Sequence, residues 1–129
     1  MFDLGARWSV AIVLGGFVGA LSRLGLLELI HPAAGFPWPT FVANVVGAAL
    51  LGFFVGGVFQ REPIGGGLVP LLGTGFCGAL TTFSGLQIET VLLLERGDVG
   101  VAVAYVGASV VAGLVAVVAA ERLAERRPG

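Results

Sequence analysis

The sequence predicts an all-α integral membrane protein with four transmembrane helices, and three observations predict it. The first is composition: of 129 residues, 57% are hydrophobic and 12% charged, at a mean hydropathy of +1.00. A soluble domain of this size has too much surface for its volume to hide so much apolar area. The second is length: apolar runs at about 8–30, 40–59, 67–94 and 99–120 each reach the ~20 residues that cross ~30 Å of hydrocarbon. The third is the connectors, HPAAGFPWP, QREPIGG and ERGD, which are short, polar and supplied with Gly or Pro. No stretch reads as a soluble domain, so residues 1–129 are expected to form one four-helix membrane domain.

The first run is too long for the apolar core of a signal peptide, and Arg23 and Glu28 interrupt its far end. It reads as a retained helix, although Ala33–Ala34 stand where a cleavage site would be. Its GGFVGA follows no strand and lies inside a span, so it packs helices rather than cradling a nucleotide. The pairs Gly15/Gly19 and Gly52/Gly56, with Ala43 and Gly47, have the small-residue spacing that lets helices approach closely. Arg23, about two-thirds along, either snorkels to the headgroups or stands as an anion-attracting cation in a vestibule.

Trp38 marks an interface before the second run, in which Thr40 and Asn44 are four apart and share a face. Asn44 is either an interhelical hydrogen bond or a polar wall of an ion path. In the third run, GTGFCGALTTFSGLQIE at Gly73–Glu89 does not read as an ordinary spanning helix. Gly73, Gly75 and Gly78 loosen the backbone where Thr81, Thr82 and Ser84 add hydroxyls. A break there is tolerated only inside protein or along a watery path, and half-helix ends suit ions. Two readings stand, an ion-handling break over Gly78–Thr81 and a plain kink between packed helices. Beyond it Phe83, Leu86 and Glu89 follow at steps of three, either as core or, for Glu89, as a solvated charge at a mouth. In the fourth run Tyr105, Ser109 and Gly113 make one stripe.

Four spans put both termini on one side, with Arg7, Arg61, Arg122, Arg126 and Arg127 near the helix ends there. The other side holds Arg96, with Arg23 if it reaches the interface, so the termini are expected to face the cytoplasm. His31 is the single histidine and has neither a nucleophile for triad chemistry nor partners for a zinc site, which excludes the usual enzymes. Cys77, the single cysteine, excludes an internal disulfide, and a net charge of −1 without a basic cluster gives no sign of nucleic acid.

GGFVGALSR at Gly15–Arg23, WPTFVANVVGAALLG at Trp38–Gly52 and GFCGALTTFSG at Gly75–Gly85 resemble the CrcB/Fluc family of small fluoride channels. The resemblance covers essentially the whole chain. It implies a third helix broken at mid-membrane, an antiparallel dimer with two pores, and a structural Na⁺ held by backbone carbonyls at the dimer interface. It implies Gly78 and Thr81 as carbonyl donors to Na⁺, Asn44 as a pore-lining donor and Phe83 as a pore aromatic. Tyr105 and Ser109 match a polar track, Thr40 and Glu89 its positions nearer the mouths, and Arg23 a vestibule arginine. The implied role is export of F⁻ across the cell's inner membrane. Leu86 departs from the pattern, which has a second Phe there, and Gly113 stands where a small hydroxyl residue is common. The Arg asymmetry and Leu86 leave open a heterodimer with an oppositely oriented paralogue beside the homodimer. A four-helix multidrug exporter and a non-conducting partner subunit are the competing classes; the exporter wants a carboxylate deep in the first span, whereas Glu28 lies near its end.

Overall fold

The computed structural model describes residues 2–30, 35–63 and 66–126; His31, Ala33, Ala34 and Arg127 lie outside them. The chain runs through α1 (Phe2–Leu29), α2 (Trp38–Phe53), a π-helical stretch Phe54–Val58 and the single turn α3 (Phe59–Arg61). A second π-helical stretch, Val69–Cys77, leads into the short α4 (Gly78–Leu80). Then come α5 (Phe83–Glu95) and α6 (Val99–Glu125). These make four spans long and apolar enough to cross a membrane: Gly5–Leu29, Trp38–Arg61, Val69–Glu95 and Val99–Glu125. The last runs past the expected end near Ala120, because ERLAE carries the helix on as a polar extension.

Local chemistry sets the ends. Pro39 sits in the first turn of α2, where a missing N–H costs nothing. The α5–α6 reversal closes on Gly97, whose φ of 85° only glycine adopts freely. Its N–H donates to the Leu94 carbonyl at 3.0 Å and that of Asp98 to Leu93 at 2.8 Å, which satisfies the last carbonyls of α5. At the start of the third span the Glu62 carboxylate accepts from the Leu68 N–H at 2.6 Å and the Val69 N–H at 3.0 Å. An anion at a helix N-terminus is well placed to hold those free donors.

Glycines decide which helices pair. A Cβ on Gly52 or Gly56 would run into the Val117 or Glu121 carbonyl oxygen, so the second span lies backbone to backbone on α6. A Cβ on Gly15 or Gly19 would run into the Leu71 or Phe76 carbonyl oxygen, and one on Gly75 would come within 2.7 Å of the Ile12 oxygen. The first and third spans are thereby pressed together. Lipid tails are as apolar as leucine, so close packing of this kind, rather than water exclusion, joins helices in a bilayer. The buried core is correspondingly small: among the described residues one cluster joins Leu93, Ala102 and Tyr105, with Phe36, Phe41, Leu86 and Val101 against them, while Ala43, Cys77, Leu80 and Ala124 are buried elsewhere. Large apolar residues such as Val13, Phe17, Val110 and Leu114 stay exposed on the outer faces of α1 and α6.

The third span departs from the expected position of its interruption. Gly78–Leu80 remains helical, and the extended residues are Thr81 (φ −85°, ψ 158°) and Thr82 (φ −149°, ψ 120°). The helix widens into π turns over Val69–Cys77, through Gly73 and Gly75, without ending there. The two β-branched threonines, which favour extended backbone, carry the departure.

Candidate functional site

The extended backbone at Thr81 and Thr82 takes the Thr82 N–H and the Thr81 C=O out of the helix ladder, and in apolar surroundings each needs another partner. Asn44 supplies the first and adds a bond to the Thr82 carbonyl. Its Oδ1 accepts the Thr82 N–H at 2.7 Å and its Nδ2 donates to the Thr82 carbonyl at 3.2 Å. A primary amide carries an acceptor beside a donor, as a peptide group does, so it pairs with a stray residue as a strand neighbour would. The interhelical bond anticipated for Asn44 is therefore present, and one of its two amide hydrogens is left over. The Thr82 hydroxyl accepts the Gly85 N–H at 3.0 Å, capping α5, and lies 3.2 Å from the Ser84 hydroxyl. Thr81 turns back: its N–H and its Oγ1 both donate to the Cys77 carbonyl, at 3.0 and 2.9 Å. The Thr81 carbonyl receives the Arg23 guanidinium, Nη1 donating at 3.3 Å.

Around this pair Asn44, Thr81, Thr82, Phe83 and Leu86 line an open pocket of about 220 Å³. Phe83 is 71% exposed, so its ring stands off the rest of the chain. Leu86 points the other way in part, packing against the Leu93–Ala102–Tyr105 cluster. Three of the expected pore residues, Asn44, Phe83 and Leu86, thus meet at one place.

A second group lies on the far side of Leu86. Glu89 accepts the Thr40 hydroxyl on Oε2 at 3.1 Å and the Tyr105 hydroxyl on Oε1 at 2.7 Å. Tyr105 is fully buried and Thr40 nearly so. The Phe36 ring stands edge-on to Tyr105, 5.4 Å between centroids at 83°. Glu89 is held between α2 and α6 rather than lying free at a solvated mouth. One turn on from Tyr105, the Ser109 Oγ is buried without a hydrogen-bond partner among the described residues. A hydroxyl in that position costs about 1–3 kcal/mol until something accepts or donates to it.

The two proposed carbonyl donors fare differently. The Thr82 N–H, which would close the helix onto the Gly78 carbonyl, goes to Asn44 instead, and Gly78 lies exposed on the chain's surface. The Thr81 carbonyl is occupied by Arg23. Among the described residues no group of three His, Cys, Asp or Glu could hold a metal, so backbone oxygens are what the interruption offers to a hard cation. Reasoning from sequence missed Thr82 as a site residue and Glu62 as a cap. A threonine just before a helical run is an N-cap signal, but Glu62 lies six and seven residues from the amides it holds, which no local pattern reveals.

The sequence model of the family described as CrcB-like protein, Camphor Resistance (CrcB), matches residues 10–121. The chain is 48% identical over 121 residues to a protein of Mycobacterium bovis named fluoride-specific ion channel FluC 1, covering 93% of this chain and 92% of that one. It is 42% identical over 107 residues to the fluoride-specific ion channel FluC of Novosphingobium aromaticivorans, covering 80% and 84%. The protein of the same name from Ignicoccus hospitalis is 39% identical over 117 residues, covering 91% and 94%. With the four spans, the glycine-locked first and third helices and the paired threonines, these matches assign the chain: it belongs to the CrcB/Fluc family, whose named relatives here are ion channels and not enzymes.

Proposed function

We propose that this chain conducts fluoride selectively, exporting F⁻ across the cytoplasmic membrane as an antiparallel dimer with two pores and a central structural Na⁺. The observation that carries the reading is the pocket at Thr81 and Thr82, where an amide with a spare N–H, threonine hydroxyls and a protruding phenyl ring converge. Fluoride is small and tightly hydrated, so a path must replace its water with donors. Amide N–H, hydroxyl O–H and the positive edges of aromatic rings are such donors without the full charge that would trap the ion. Thr40, Tyr105 and Ser109 extend the polar series along α2 and α6, and the unsatisfied Ser109 hydroxyl is the kind of group a passing anion would meet. Phe83, standing off this subunit, is supported as a wall completed by a second copy. The Gly78 carbonyl, released from the helix on an exposed face, suits a cation shared between two copies.

The chain is multi-pass, and the Arg7, Arg61, Arg122 and Arg126 end favours cytoplasmic termini in the inner membrane. The test is efflux from liposomes reconstituted with this chain alone, fluoride against chloride. Rapid fluoride release with chloride retained is expected; equal release of both anions, or release of neither, would overturn the reading. A second reading, one subunit of a heterodimer, is favoured by Leu86, which puts an alkyl group where an aromatic edge would face the pocket. The multidrug exporter loses ground, because Glu28 is exposed at the last turn of α1 instead of deep within it.

A further inference from the structure

Gly15, Gly19 and Arg23 lie four apart on one face of α1. Each meets a backbone carbonyl of the third span, and these belong to Leu71, Phe76 and Thr81, five apart. Four against five is the mismatch of an α-helix running beside π turns, whose hydrogen bonds span one residue more. At the first two steps the helices touch because glycine has no Cβ. At the third the span has opened, and the guanidinium fills the gap, Nη1 donating to the Thr81 carbonyl at 3.3 Å. No amide of its own helix serves that carbonyl. The Gly85 N–H, four residues on, is committed to the Thr82 hydroxyl. A carbonyl left alone in hydrocarbon is costly, and a charge-assisted donor is a strong remedy.

We infer that Arg23 is a positioning residue: a built-in cation that pins the Thr81 carbonyl while Asn44 pins Thr82, and that competes with a metal cation for the same oxygen. The competition half rests on the Na⁺ site proposed above; the pinning half does not. One of the five guanidinium N–H donors of Arg23 is thereby committed to the backbone of the third span.

Two substitutions separate the halves in the full-length protein in lipid nanodiscs, read by amide hydrogen exchange and by the NaCl concentration giving half-maximal thermal stabilisation, with N-methylglucamine replacing Na⁺. Arg23→Gln keeps a donor and removes the charge. It should lower the half-saturating Na⁺ concentration about five- to tenfold, the difference between a charge-assisted and a neutral hydrogen bond, with Thr82 exchange near that of the parent. Arg23→Leu removes both and should speed exchange of the Thr82 amide about tenfold, the worth of one hydrogen bond to a charged group, while Arg23→Lys restores protection. Unchanged Thr82 exchange in Arg23→Leu would overturn the pinning. An unchanged Na⁺ midpoint in Arg23→Gln would overturn the competition. A parent protein with no Na⁺ dependence would instead sink the proposed Na⁺ site and the competition with it, and the exchange measurement would still decide the pinning. Should Arg23→Leu fail to fold, failure of Arg23→Lys to keep Thr82 protected is the result that counts against it.

Discussion

At Asn44 both ends of one amide are committed to Thr82, Oδ1 to its N–H and Nδ2 to its carbonyl, and this sets what a substitution does. Asn44→Asp keeps the acceptor, loses the donor, and turns a negative oxygen toward the Thr82 carbonyl. Losing that donor costs about 1 kcal/mol, although the Thr82 carbonyl remains the first acceptor of α5, and a negative charge in an anion path opposes fluoride directly. The expected outcome is loss of fluoride efflux from liposomes with a lowered thermal midpoint. Flux equal to that of the parent would remove Asn44 from the ion path. Thr82 gives a milder case, because its hydroxyl caps α5 through the Gly85 N–H. Thr82→Val keeps the shape and removes the cap, which should lower stability by about 1 kcal/mol, read as a shift in thermal midpoint. No shift would mean that the α5 terminus draws nothing from the hydroxyl.

At the scale of elements the glycines are not equivalent, and the difference is measurable. A Cβ on Gly19 would meet the Phe76 carbonyl, whereas one on Gly107 of α6 would meet nothing within 4 Å. Gly19→Ala should cost about 1–3 kcal/mol, as overpacking does. Gly107→Ala should be neutral or stabilising by up to about 1 kcal/mol, from helix propensity alone. Equal midpoints for the two variants would mean that the first and third spans are not locked by glycine. These roles also mark how far the sequence can be read. The four spans were legible because length and hydropathy alone decide them, and the packing of Gly15, Gly19, Gly52 and Gly56 because small residues four apart have one common use. The meeting of Asn44, Phe83 and Leu86 was legible only through the motif resemblance, since no periodicity on one helix brings them together. The π turns over Val69–Cys77 were not legible. They follow from how closely α1 is pressed on the third span, a tertiary cause with no local signature. The interruption fell at Thr81 and Thr82, whose β-branched side chains favour extended backbone, instead of at the neighbouring glycines.

For the whole molecule the question is how two copies would sit in one membrane. Arg7, Arg61, Arg122 and Arg126 lie near one end of the four spans and Arg96 near the other, so a lone chain should insert mostly with its termini in the cytoplasm. An antiparallel homodimer needs both orientations, which that asymmetry opposes. A second handicap is local. Leu86 lines the pocket beside Phe83, and an aromatic edge in its place would add a contact of about 1 kcal/mol to a passing anion. The open pocket of about 220 Å³ leaves room for the larger ring. Leu86→Phe should therefore raise fluoride flux several-fold, 1.4 kcal/mol being about a factor of ten, but only through copies that have inserted both ways. A cysteine engineered at the C-terminus and labelled from each side of the membrane reports that fraction, with little background because Cys77 is buried. One-sided labelling with weak flux, raised by co-expression of an oppositely oriented paralogue, is the outcome that favours a heterodimer. Equal labelling from both sides, with full flux from the unaltered chain, would defeat it: Leu86 would then be an adequate pore wall, and four arginines against one too weak a bias to fix the topology.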